Sequence, residues 1–173
     1  MDDAALPPQL EGRLMTKHQP HDGHPAGNKA YLMLGLNLLL SAIVMYFVMF
    51  TMIDGLPDFF HNLNMFYMAL MMVAPMAILM LLMMGTMYRN KPLNLAIGIG
   101  FAALFLLAFG GMRQQTGIGD RQFLRSMIPH HSGAILMCRE ADLRDPEIRG
   151  LCEGIVQSQR QEIAQMKRLL EQP

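Results

Sequence analysis

The sequence predicts an all-α membrane protein, with three transmembrane helices followed by an extracytoplasmic helical hairpin. Three observations carry that expectation. The stretches Ala30–Ile53, Asn62–Tyr88 and Pro92–Met112 contain no Asp, Glu, Lys, Arg or His, and each reaches the roughly 20 residues a helix needs to cross hydrocarbon. The whole chain is 52% hydrophobic and only 16% charged, which sets it apart from ordinary soluble domains. The residues after Arg113 recover charge and place their apolar side chains at helical spacing.

The first segment, residues 1–29, is rich in Pro, Gly, His and charge and lacks periodicity, as expected of a disordered tail. Its His18, His21 and His24 could gather a metal loosely or simply be solvated. Residues 30–113 form the membrane domain, with spans near 30–53, 65–88 and 92–112. A cleaved signal peptide is not expected, because a long polar stretch precedes an apolar run too long for a signal core. The first span then acts as its own anchor. Arg13, Lys17 and Lys29 in the tail and Arg89 and Lys91 in the second loop contrast with a first loop holding Asp54 and Asp58 and no Lys or Arg. The positive-inside rule puts the N-terminus in the cytoplasm and the C-terminal domain, residues 114–173, in the periplasm or outside the cell, across a bacterial inner (plasma) membrane. Arg113, just past the third span, pulls the other way. Net charge is zero, so no global field draws nucleic acid.

In the C-terminal domain Gly117 and Gly119 break the third helix, and Asp120 can cap the next. Helical spacing runs from Asp120 to Leu143. Asp145-Pro146 supplies a cap and a first-turn proline for a second helix to about Leu170. Pro129 implies a late start near Ser126 or a bend that turns His130 and His131 inward. A hairpin of this size cannot bury a full core alone. Packing on a second copy would make a four-helix bundle, so a homodimer or higher homo-oligomer is expected, with another protein as the alternative partner.

Nineteen of the 173 residues are Met. In the hairpin Met127, His131, Ala134 and Cys138 share one helical face, flanked by His130 and Met137. Folding about Asp145 sets Cys138 opposite Cys152, His131 opposite Gln159, and Met127 near Ile163, with Met166 a turn further and Glu162 at the edge. Thioether and imidazole together suit copper(I) or silver(I) far better than hard divalent ions. The alternative is ordinary packing, since Met fills gaps in cores. Cys138 and Cys152 could form a disulfide or remain thiolate ligands. In the second span Met65, Met68, Met72, Met76, Met80, Met83 and Met87 fall within an arc of about 120°. Such a ladder could relay a monovalent ion, with His61, Asp54 and Asp58 as its first ligands at the outer mouth, or serve only to pack helices.

The two-part pattern Met127-Ile-Pro-His-His131-Ser-Gly-Ala-Ile135-Leu-Met137 and Gln159-Arg-Gln-Glu162-Ile163-Ala-Gln-Met166 resembles the domain of unknown function 305 family. The Met-laden spans resemble a membrane-anchored branch of it. That resemblance implies a ferritin-like bundle and extracytoplasmic copper and silver binding, often linked to metal resistance. It carries over Met127, His130, His131, Met137 and Met166 as ligands, with Gln159 and Glu162 behind them. Cys138 and Cys152 stand where the family's commoner pattern has small residues.

The expected function is therefore a membrane-anchored, methionine-rich binding protein for copper(I) or silver(I), serving tolerance or delivery to a partner. A copper permease or channel using the Met ladder is the alternative, and a structural subunit without metal is a third. No enzyme is expected, because no nucleophile–base arrangement, phosphate loop or Glu-x-x-His pair is present.

Overall fold

The computed structural model describes residues 25–172. Five α-helices follow in order: α1 (Pro25–Val48), α2 (Leu63–Met83), α3 (Lys91–Arg113), α4 (Asp120–Glu140) and α5 (Pro146–Glu171). Short 3-10 turns at Met49–Met52 and Leu56–Asp58 join α1 to α2. No strand occurs among the described residues.

Three helical stretches are long and apolar enough to cross a membrane: Lys29–Met52, Leu63–Met83 and Lys91–Arg113. Their leucines Leu32, Leu39, Leu82, Leu95 and Leu107 are exposed, a surface suited to lipid rather than water. Helix α2 packs on both α1 and α3. Its buried small residues Ala69, Ala74 and Ala77 allow the backbones to approach closely. The core between α1 and α2 is built from Leu34, Leu38, Val73, Ala77, Leu81 and Tyr88. Asn62 caps α2 by accepting the Met65 N–H at 2.9 Å, and Asn90 caps α3 through the Leu93 N–H at 3.1 Å.

Several helix boundaries differ from expectation; the helix expected to reach Leu143 stops at Glu140. Helix α1 starts at Pro25, so residues 25–29 belong to the first helix and not to the tail. The expected ligands His18, His21 and His24 lie outside the described residues. Helix α2 stops at Met83, short of Tyr88. The chain turns there because Tyr88 is drawn back into the core: its ring lies 5.3 Å from that of Tyr31, and its carbonyl accepts from Asn94 Nδ2 at 2.7 Å.

Helices α4 and α5 form the hairpin. Asp145 caps α5, its Oδ1 accepting the N–H groups of Glu147 and Ile148 at 2.8 and 3.3 Å. Helix α4 runs without a break through the buried Pro129, which removes the late-start alternative. Its cap is Gly119, with Asp120 inside the first turn, where a carboxylate still favours the positive end of the helix. Cys138 and Cys152 are joined in a disulfide, Cα–Cα 5.3 Å. The hairpin core is Ile128, Ile135, Ile163 and Met166.

That core is closed on one side by the loop between α1 and α2, since Phe60 packs against it. Ser132 is fully buried. Its hydroxyl accepts the Asp54 N–H at 2.8 Å and donates to Asp58 Oδ2 at 2.6 Å. Lys167 Nζ meets Asp58 Oδ1 at 2.6 Å, and Arg139 meets Asp54 Oδ1 at 2.7 Å. Gly133 lies so close to the Met52 carbonyl that a Cβ there would stand 3.2 Å from it. The hairpin and the loop between α1 and α2 therefore lie at one end of the α1–α3 bundle.

Candidate soft-metal site

The seam between α4 and α5 holds His131, whose side chain is 13% exposed. Its Nδ1 lies 3.1 Å from Glu162 Oε2. The approach is not aligned for a hydrogen bond, so this buried nitrogen has no hydrogen-bond partner. Glu162 is held in turn by the Ser158 hydroxyl, which donates to Oε1 at 2.7 Å. Burial pushes the His131 pKa below its ordinary 6.5; the Glu162 charge opposes that shift and the neighbouring His130 adds to it. The ring is therefore neutral at pH 7 and carries a lone pair.

Around His131 the seam is apolar and rich in sulfur. Met127 packs, half-buried, on the cluster that contains Met166, which is 8% exposed. One element of the expected pairing shifts: His131 faces Glu162, one turn beyond Gln159, which is half-buried. The helices cross slightly out of the simple register that the disulfide alone suggests.

The five expected ligands fall into two groups. Met127, His131 and Met166 belong to the seam. His130 is exposed, its ring 6.2 Å from that of His131, and Met137 is 55% exposed. Phe123, His130 and Met137 are seven residues apart and so share one open stripe. On α5 the exposed Leu151 and Leu169 fall on the same helical face as Glu162 and continue that open side. Cys138 and Cys152, engaged with each other, offer no thiolates. Among the described residues no group of three or more His, Cys, Asp or Glu is placed to hold a metal ion. Any cage here draws on Met.

In the loop between α1 and α2, Asp54 and Asp58 already have partners in Arg139, Ser132 and Lys167. His61 Nδ1 lies 3.0 Å from the Tyr46 hydroxyl, and Phe59 stands edge-on to its ring with centroids 4.9 Å apart. Along the ladder Met76 and Met80 pack, with Met45, on the α1–α2 core. Met65 is half-buried. Met68, Met72 and Met83 are exposed on the outer surface, and Met87 lies past the end of α2. The arc seen in the sequence is thus divided between core and outer surface.

Ser132, Gly133, Arg139 and Lys167 escaped sequence reasoning as positioning residues. For Ser132 and Gly133 the one signal is the adjacent Ser-Gly within the helix, small residues where another backbone comes close.

The family described as "Domain of unknown function (DUF305)" matches residues 112–170, the end of α3 and the whole hairpin up to Leu170. An uncharacterized protein of Acanthamoeba polyphaga mimivirus is 35% identical over 121 residues, covering 69% of this chain and 78% of its own length. The chain belongs to the domain of unknown function 305 family. No solved structure matches it.

Proposed function

We propose that this family member is a membrane-anchored binding protein for monovalent copper or silver, held by Met and His of the hairpin for tolerance or delivery. The observation that carries the reading is His131: a buried, neutral imidazole with an unpartnered Nδ1 in a seam with Met127 and Met166. A buried polar atom without a partner costs about 1–3 kcal/mol, a cost that function can justify. A small rotation of the ring would let Glu162 accept from Nδ1–H, leaving Nε2 to the ion in the way carboxylates commonly orient ligating histidines. Two thioethers then favour the reduced, soft ion.

A second copy of the chain, seated on the open side of the hairpin, would complete a ferritin-like four-helix bundle. It would bring His130 and Met137 of both copies towards the seam. The positive-inside pattern supports a cytoplasmic N-terminus and an extracytoplasmic hairpin. Conduction along α2 is the less supported alternative, because the exposed Met68, Met72 and Met83 do not line the interior of a single chain.

The test is a titration of the full chain in detergent with copper(I) against a chromophoric chelator, beside a variant carrying Met127→Leu, His131→Gln and Met166→Leu. Loss of at least about tenfold in affinity, roughly 1.4 kcal/mol, is expected. Equal binding by both proteins would remove the hairpin as the site.

A further inference from the structure

At the other end of the membrane bundle from the hairpin, α1, the last turn of α2 and the turn that follows it enclose a groove. Met33, Met80, Met84 and Met87 line it together with Asn37 and Lys29. The geometry points to a second soft-metal site here, four thioethers that take a monovalent copper or silver ion on the side of the membrane away from the hairpin.

Four features support it. The thioethers come from separate segments, α1, α2 and the turn at residues 84–87, yet converge on one groove. The turn is pinned: Tyr88 is 4% exposed, the Tyr31 ring packs against it at a tilt of 46°, and the Tyr31 hydroxyl donates to Asn94 Oδ1 at 2.6 Å. Packing does not account for the choice of Met, since Met33, Met84 and Met87 remain open and Leu would meet lipid equally well. Asn37 gives the wall an amide, with Oδ1 accepting from Ser41 at 3.3 Å, and Lys29 stands at the rim. Both admit water where a purely apolar groove would stay dry. The Lys29 charge repels a bound cation and so weakens the site, while the flexible stem can carry that charge into solvent. Weak, exchangeable binding suits release rather than storage. The site uses none of the hairpin ligands, so it stands or falls apart from the hairpin reading.

Met83 supplies an internal control. It is 83% exposed, adjacent to Met84, and does not line the groove. The experiment is a peroxide footprint of the full chain in nanodiscs, with sulfoxide formation at each methionine followed by mass spectrometry, without and with silver(I). At silver(I) about ten times Kd, oxidation at Met33, Met84 and Met87 is expected to slow by about tenfold while Met83 is unchanged. The same protection should persist in a His131→Gln, Met127→Leu chain, even if the hairpin there no longer binds. Protection absent from the groove, or equal at Met83, would overturn the site. Silver(I) uptake by the His131→Gln, Met127→Leu chain that is undiminished when Met33, Met80, Met84 and Met87 are also replaced by Leu, a volume-conserving change, would overturn it as well.

Discussion

His131 concentrates the chemistry of the hairpin in one ring. Its pKa is lowered mainly by burial, so the neutral form persists to a lower pH than in the unfolded chain. Two consequences share one sign. The unfolded state takes up a proton near 6.5 before the folded state does, so this group's contribution to stability is complete above that pH and declines as pH falls through the folded value. Under the proposed function, metal affinity should follow the same course: flat at neutral pH, then falling by about tenfold per pH unit once the ring protonates. Copper(I) titrations across that range in wild type and His131→Gln should show the pH dependence only in wild type. Ser132 carries the other local prediction. Replacing it with Ala strands the Asp54 N–H and removes a donor from Asp58, which should cost about 1–3 kcal/mol. Thermal unfolding of the detergent-solubilised protein reads the loss.

Among the elements, the spans and the α5 start were plain in the sequence, because charge-free length and an Asp-Pro cap act locally and need no tertiary partner. The Cys138–Cys152 pairing was legible as one of two readings, since antiparallel register alone brings those positions together. What was not legible followed from long-range contacts. Met83 ends α2 because Tyr88 is held by the nearby Asn94 and recruited by Tyr31, which is far away in the chain. His131 meets Glu162 rather than Gln159 because the crossing of two helices depends on side-chain packing that periodicity does not encode. The disulfide spans a separation of 14 residues, a loop whose closure is worth about 3 kcal/mol in the chain-entropy model. Replacing both, Cys138→Ser with Cys152→Ser, should therefore lower the unfolding temperature of the hairpin while leaving metal affinity nearly unchanged, since neither sulfur is a ligand in the account given above.

For the whole molecule, the hairpin is not a free appendage. Asp54 and Asp58, read from the sequence as first ligands for an incoming ion, instead receive Arg139, Ser132 and Lys167 and clamp α4 and α5 to the loop between α1 and α2. The acidic character of the first loop was visible, but its partners were not, because they lie about eighty to a hundred and ten residues downstream. One side of the hairpin is covered by that loop, which leaves the side bearing Phe123, Met137, Leu151 and Leu169 open. A second copy on that side should make the detergent-solubilised protein a dimer by light scattering, and Phe123→Glu with Leu151→Glu should make it a monomer. A wild-type monomer would contradict the paired bundle. The central claim is that one ion is held by sulfur and imidazole together in the hairpin seam. X-ray absorption at the copper edge of the copper(I)-loaded full chain tests it most directly: a mixed sulfur and nitrogen shell is expected, with the nitrogen contribution lost in His131→Gln. A shell of nitrogen and oxygen alone, or a spectrum unchanged by that substitution, would contradict it.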